Sequence, residues 1–266
     1  MTGDVHIDRQ VSASPRDLWA ACATARGLEN WCADRVVGTI ATGATVRLEW
    51  PDLRATVILE VAEFVPGRRV SFRNGATRVA LEIGESSVQL THAGLGAGDD
   101  REGWTGSWRL ALELLAHGLE SHPGKQRRAR WFSAHARTTS ALAHVYYTDS
   151  QGLAAWLGEG PGLGDEGAEY AMRSLSGAPM TGRVLVRSGG RDVALSWREE
   201  GNSVLVLRSF PSPVSRSERV LAACWSRWLE AGQEGADESS TTAQTERALK
   251  EGVERLARVL GQSGIA

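Results

Sequence analysis

The sequence predicts an α+β protein with two tandem copies of one domain, each a curved antiparallel sheet wrapped around a long C-terminal helix. Three observations support this prediction. Apolar and polar residues alternate over a long central run in each half. An amphipathic helical segment follows each run, and the whole pattern begins again near the middle of the chain. We place the first domain at residues 1–124 and the second at residues 125–266.

Length and composition predict a soluble globular protein. The 266 residues suit two domains of ordinary size. A net charge of −2 gives no electrostatic reason to expect nucleic acid or an anionic membrane as a partner, and no apolar run approaches the roughly 20 residues of a membrane span. The first residues lack the basic and apolar segments of a signal peptide. Three cysteines without CxxC spacing indicate reduced thiols, so we expect a cytoplasmic protein.

The first half opens with a strand and two short helices. Residues 5–11 alternate between apolar and polar side chains, as a half-buried strand does. Ser14 followed by Pro15 is a typical helix start, because serine caps the free amides and proline suits the first helical position. A second short helix carries Leu28 and Trp31.

The strands and the long helix of the first half follow in order. From about Val36 to His92 the pattern has a period of two, broken by turn signals at residues 43, 66–67, 74–75 and 84–85. An antiparallel meander with one buried face is therefore expected. The helix that follows has an apolar stripe and ends near Gly118 and residues 123–124. The stripe consists of Trp104, Trp108, Ala111, Leu112, Leu115 and Leu119.

The second half repeats this order. An offset of 125 residues carries Ser14 to Thr139, Leu28 to Leu153 and Trp31 to Trp156. Strands are predicted at residues 128–137, 169–175, 181–187, 192–198 and 203–210, with hairpin turns at 189–190 and 201–202. Residues 219–228 fit either a strand or a helix, and we prefer a last strand. A polar loop over 232–242 then leads to a final helix over 246–260.

These motifs resemble those of the START-like SRPBCC superfamily, and specifically the branch of activator-of-heat-shock-protein-90-ATPase homologues. The resemblance covers residues 5–120 and is weaker in the second half, which keeps a Leu-x-x-Trp segment but lacks a clear Thr-His-x-Gly-Leu corner. The matching elements are Trp19, the Leu-x-x-Trp segment 28–31, residues 65–68, the corner at 91–95 and residues 103–104.

The resemblance implies a helix-grip fold with a cavity between sheet and helix. Members of the superfamily bind lipids, sterols, polyketides and plant hormones, and some are aromatase/cyclases. The co-chaperone after which the branch is named carries a separate N-terminal domain, which neither half of this sequence resembles. We therefore expect a binding protein for a small hydrophobic ligand. An aromatase/cyclase-like enzyme and a co-chaperone-like or regulatory partner of another protein stay open as alternatives.

Candidate ligand contacts are mainly aromatic residues at inward positions. Indole rings offer a broad apolar wall with one hydrogen-bond donor, although tryptophans that simply fill a core would give the same pattern. The candidates are Trp19, Trp31, Trp50, Phe72, His92, Trp104, Trp108, Leu112, Trp156 and Trp197.

Catalytic chemistry has one weak candidate. His92 alternates with Val88 and Leu90, so it faces the predicted cavity and could act as a general acid or base; ordering of the corner before the long helix is the alternative role. The six histidines have no metal-ligand spacing, and no cofactor motif is present, so we expect neither a metal nor a cofactor. Cys22 and Cys32 fall on apolar helix faces, where buried thiols are typical.

Overall fold

The computed structural model describes residues 3–188, 190–233 and 240–263. The chain divides into two compact units, residues 1–128 and 129–266. Each of two antiparallel sheets has seven strands, and the strand order of the second repeats that of the first. The first sheet, with the helices of residues 3–121, is called lobe 1, and the second, with the later helices, lobe 2. The predicted boundary after residue 124 falls in the turn before the second sheet and stays a prediction.

Lobe 1 has the sheet order β1-β7-β6-β5-β4-β3-β2. Two short helices follow its first strand, and its longest helix follows its last strand, as the sequence predicts. The elements are β1 (Val5–Gln10), α1 (Pro15–Ala23), α2 (Ala25–Glu29), β2 (Arg35–Val37), β3 (Thr45–Trp50), β4 (Ala55–Val65), β5 (Arg69–Asn74), β6 (Thr77–Ile83), β7 (Ser87–Ala93) and α3 (Arg101–Ser121).

Lobe 2 has the sheet order β8-β14-β13-β12-β11-β10-β9, which is the same order with each element replaced by its counterpart. The elements are β8 (Gln126–Ala136), α4 (Ser140–Thr148), α5 (Ser150–Ala154), β9 (Gly158–Glu159), β10 (Glu169–Ser174), β11 (Pro179–Arg187), β12 (Asp192–Trp197), β13 (Ser203–Pro211), β14 (Arg219–Leu229) and α6 (Ser240–Ser263).

The helix starts confirm the predicted repeat. The Ser14 hydroxyl accepts a hydrogen bond from the Asp17 amide at 3.1 Å, and the Thr139 hydroxyl accepts one from the Leu142 amide at the same distance. Each cap satisfies an amide that has no partner within its helix. The same capping geometry at both predicted positions shows that α1 and α4 are equivalent.

The two Leu-x-x-Trp segments also behave identically. Trp31 donates its indole N–H to the Ala21 carbonyl at 3.0 Å, and Trp156 donates to the Tyr146 carbonyl at 2.9 Å, each reaching back ten residues. Both indoles are buried. Each tryptophan therefore joins the second short helix of its lobe to the first.

The sheets share an irregularity that fixes the correspondence between their strands. The register shifts between Val61 and Glu63 on β4 and between Val184 and Val186 on β11. Such bulges locally bend a strand and break its ladder. Counting from the bulge through the strand pairings, His92 on β7 occupies the position that Trp225 occupies on β14.

The structure corrects the predicted end of lobe 2. Residues 219–228 form a strand, as preferred, but α6 begins at Ser240 and not at Glu246. The start of α6 is polar and gave no apolar stripe; it is held by hydrogen bonds from Arg227 to Thr242 and from Thr245 to Glu200. The loop predicted over 232–242 is thus wrong from residue 240 onward, and its residues 234–239 lie outside the described residues, as does Gly189 of a predicted turn.

Candidate functional site

The candidate site lies on the inward face of lobe 1, the sheet face that α3 covers. Val88, Leu90 and His92 share this face through the alternation of β7. Helix α3 contacts the inward face near both ends of β7. Trp108 hydrogen-bonds to His92 at one end, and Glu113 forms an ion pair at 2.9 Å with Arg9 of β1, which pairs with Val88 at the other end. The alternation predicted from sequence places His92 on this face, and the structure agrees.

A tight corner positions His92. Strand β7 ends at Ala93, and Gly94 then adopts a positive φ of 80°, a conformation that side-chain-bearing residues rarely adopt. A side chain at Gly94 would also collide with the Ala76 carbonyl. Leu95 is buried beyond the corner. The Thr-His-x-Gly-Leu motif therefore turns the chain sharply toward α3 directly after His92.

Two tryptophans of α3 enclose the His92 ring. The Trp108 indole donates to His92 Nδ1 at 3.1 Å. Trp104 meets the His92 ring edge-on, with centroids 4.8 Å apart, and stacks on Trp108 at 6.4 Å. Because an indole N–H can only donate, Nδ1 must be the acceptor, and the proton of neutral His92 resides on Nε2. Among the described residues, Nε2 has no hydrogen-bond partner, and it is not fully buried.

Electrostatics favour the neutral form of His92. Burial lowers the pKa of His92 below the ordinary histidine value, while the carboxylates of Asp99 and Asp4 act in the opposite direction. Protonation would also place a second hydrogen on Nδ1, against the Trp108 donor. His92 is therefore a hydrogen-bond donor through Nε2 near neutral pH.

The inward face is open at one end. The inward residues Trp50, Val57, Leu59 and Val79 are only partly buried, although all of them point to the same side as His92. Trp104 is 41% exposed at the start of α3. Apolar side chains that share the inward face and still contact solvent are not fully covered by the rest of the lobe. Trp104, predicted to face inward, contacts His92, which pairs with Val79.

The other predicted contacts are packed within their lobes. Trp19 packs against Phe64 at a centroid distance of 5.3 Å and is partly buried. Phe72 and Leu112 are buried in lobe 1, and Trp197 is buried in the core of lobe 2. Trp31 and Trp156 are occupied by the interhelical hydrogen bonds described above, so their indole N–H groups are not free for a ligand. The structure thus brings His92, Trp104 and Trp108 into contact, and Trp50 shares their face of the sheet four strands away on β3.

The interior of lobe 2 is closed where that of lobe 1 is open. Trp225, the counterpart of His92, is fully buried and donates to the Ser203 hydroxyl at 2.9 Å. Met180, the counterpart of Val57, is also fully buried. The inward apolar side chains of α6 are buried too, in contrast to Trp104 and Trp108. They are Leu249, Val253, Leu256 and Leu260.

Sequence reasoning missed a polar cluster in lobe 2. His144 and Arg187 stand where lobe 1 has Trp19 and Phe64, and burial followed by the charge of Arg187 lowers the pKa of His144. Asp192 lies nearby and is bound by Arg208 at 3.0 Å. The offset of 125 residues carries Trp19 to His144, so this replacement was visible in the sequence.

Metal-ligating side chains are dispersed in the described chain, and two of the three thiols stay protonated. No group of three or more His, Cys, Asp or Glu side chains in the described ranges could hold a metal ion. Burial raises the pKa of Cys22 and Cys32 to about 12, so both thiols stay protonated and are poor nucleophiles. Of the described residues, only Trp108 hydrogen-bonds to His92, and it cannot exchange a proton in acid–base catalysis. No helix of the described chain is long and apolar enough to cross a membrane.

The strand order, the register and the inward helix define a tandem helix-grip protein of the α+β class. No protein-family model matches the chain. No curated protein sequence matches it.

Solved structures similar to the chain include proteins of the expected branch. The Aha1 protein of Colwellia psychrerythraea, solved as a dimer, is 18% identical over 44% of this chain and 96% of its own, with a TM-score of 0.40. The AHSA1-like protein of Aeromonas hydrophila is 13% identical over 44% and 92%, with a TM-score of 0.39. DynU16, from the dynemicin biosynthetic locus, is 16% identical over 97% and 98%, with a TM-score of 0.41.

Proposed function

We propose that this chain is a cytoplasmic binding protein for a small hydrophobic molecule and that lobe 1 holds the ligand. The observation that carries the proposal is the open end of the inward face, where Val79 beside His92 and the inward apolar side chains at the ends of β3 and β4 are only partly buried. Covering this surface with an apolar ligand is favourable by about 25 cal/mol per Å² of apolar area. Lobe 2 then serves as a structural partner, because its equivalent positions are already filled.

Catalysis is not needed to explain the site. A hydrolase or cyclase requires a second polar group that converges on the reacting atoms. His92 is instead surrounded by indole rings and has no carboxylate or nucleophile among its described hydrogen-bond partners. Such a site is suited to orienting a ligand in an apolar setting.

The test is binding of Nile red, a neutral apolar dye that fluoresces when it leaves water. We expect wild-type protein to bind the dye. Val57→Trp should weaken binding by about tenfold or more, because the larger side chain fills the open end. Ile58→Trp is the matched control, since Ile58 is the next residue of β4, points to the opposite face and is 61% exposed.

The proposal fails if Nile red does not bind, or if Val57→Trp and Ile58→Trp weaken its binding equally. Native mass spectrometry of protein purified from cells gives an independent reading. A co-purifying apolar molecule that is absent from the Val57→Trp variant would identify the natural ligand class.

A further inference from the structure

We infer that the lobe 1 site selects an uncharged ligand that presents a carbonyl-type oxygen to the Nε2–H group of His92. This inference rests on the proposed binding function and specifies the ligand class. It follows from the hydrogen-bond donor that His92 presents at the open end and from the uncharged inward positions of the neighbouring strands in the described residues.

The hydrogen-bonding character of the site is fixed by Trp108. Its indole occupies His92 Nδ1 at 3.1 Å, which removes the acceptor nitrogen of the imidazole and the donor of the indole together. The Nε2–H group is what remains for a ligand. A ligand that carries only a donor, such as a primary ammonium group, has no complementary atom here. A ligand that carries an acceptor oxygen does.

The charge preference comes from the strands. The inward positions of β3 to β7 carry no charged side chain in the described residues. The inward pair of Arg9 and Glu113 is internally neutralised at 2.9 Å and lies beyond Leu90, on the side of His92 away from the open end. A charged ligand that packs against these strands would lose hydration without gaining an opposite charge from them, which is costly.

Nearby carboxylates act against anions in particular. Asp99 and Asp4 interact electrostatically with His92, and both act to raise its pKa. The same negative charges repel a carboxylate that approaches His92 from the opening. An acid is therefore a worse ligand than the ketone or ester of the same shape.

The test compares three probes with the same bicyclic ring: 1-acetylnaphthalene, 1-ethylnaphthalene and 1-naphthoate. Binding is followed by the ¹⁵N–¹H signals of the indole N–H groups in tryptophan-labelled protein. We expect the ketone to bind about three- to tenfold more tightly than the ethyl compound, the range of one net hydrogen bond, and the carboxylate to bind most weakly. The His92 ring ¹⁵N shifts should show the Nε2–H tautomer before any probe is added.

Two variants assign the preference to His92. His92→Phe should bind the ketone and the ethyl compound equally, while His6→Phe, a change at an exposed residue of β1, should keep the wild-type preference. Trp108→Phe should shift the His92 tautomer signals toward a mixture, because Nδ1 loses its donor. This tautomer readout needs no ligand, so it remains informative if a variant alters the pocket shape.

The outcomes separate the inference from the proposed function. If the ethyl compound binds wild-type protein as tightly as the ketone, or if the carboxylate binds best, the inference is overturned and the hydrophobic pocket stands. If none of the three probes moves any indole signal, both are overturned. An Nδ1–H tautomer of His92 in the free protein overturns the inference by itself.

Discussion

The two lobes follow the same strand order and carry the same β-bulge, yet their interiors differ. In lobe 1, β7 ends one residue after His92, and a glycine corner leads into α3 with its exposed Trp104. In lobe 2, β14 continues four residues beyond Trp225, and the interior is packed with tryptophan, methionine and leucine. An open interior in this fold therefore depends on where the last strand ends and on a few inward side chains.

A second difference concerns polar pairs at equivalent positions. In lobe 1, Arg69 and Glu82 form a cross-strand ion pair at 3.2 Å that solvent reaches. In lobe 2, Asp192 and Arg208 hold the same position with the charges reversed, and Asp192 is buried. The ion pair of lobe 2 is thus more shielded from solvent than its counterpart in lobe 1.

The largest expected loss of stability follows from a change at Trp225, the counterpart of His92 in lobe 2. Trp225→Ala should lower the free energy of unfolding by about 3–5 kcal/mol, because it empties a fully buried site and leaves the Ser203 hydroxyl without its donor. Trp108→Ala in lobe 1 should cost less than half as much, since Trp108 is only partly buried. Urea denaturation followed by circular dichroism measures both changes.

Equal losses for these two variants would contradict the comparison. They would mean that the interior of lobe 1 is packed as tightly as that of lobe 2. Trp104→Ala serves as the control for an exposed indole and should change stability by less than about 1 kcal/mol.

Much of the fold could be predicted from sequence, because local signals determine it. The caps at Ser14 and Thr139 and the repeated Leu-x-x-Trp segments act within a few residues of themselves, and all are confirmed. The start of α6 was missed since tertiary hydrogen bonds, and not an apolar stripe, hold its first turn.

The site was harder to predict than the fold. Alternation places His92 on the inward face, but which tryptophans fill a core and which line an opening depends on packing across the lobe. Trp31 and Trp104 are both predicted to face inward, yet Trp31 is buried and Trp104 is 41% exposed. The match of His92 to Trp225 was hidden as well, because the connection from β13 to β14 is longer than that from β6 to β7.

A smaller loss of stability is expected when the ion pairs Asp192–Arg208 and Arg69–Glu82 are broken. Asp192→Asn should destabilise the protein by about 3 kcal/mol, because it leaves the Arg208 charge without its buried partner. Glu82→Gln removes the corresponding charge in lobe 1 and should cost less than about 1 kcal/mol, since that pair is exposed to water. Denaturation at low and at 1 M salt distinguishes the two, as salt screens the exposed pair more strongly. Equal losses of stability in the two variants would contradict this, because they would mean that water screens the Asp192–Arg208 pair as strongly as the Arg69–Glu82 pair.

The smallest effect is a pH dependence that both lobes share. Burial lowers the folded-state pKa of His92 in lobe 1 and of His144 in lobe 2. A histidine with a lowered folded pKa takes up its proton first in the unfolded chain. Its contribution to stability is therefore complete above the unfolded pKa of about 6.5 and is lost as the pH falls from there through the folded pKa.

His92→Gln and His144→Gln should each flatten the decline in stability between about pH 6.5 and 5, where most carboxylates are still ionised. The charges that act on His92 are Asp99 and Asp4, and those on His144 are Arg187 and Asp192, so the two slopes need not be equal. His6→Gln, at an exposed position, is the control, and a wild-type slope in His92→Gln would show that the imidazole is not held neutral by its tryptophan enclosure.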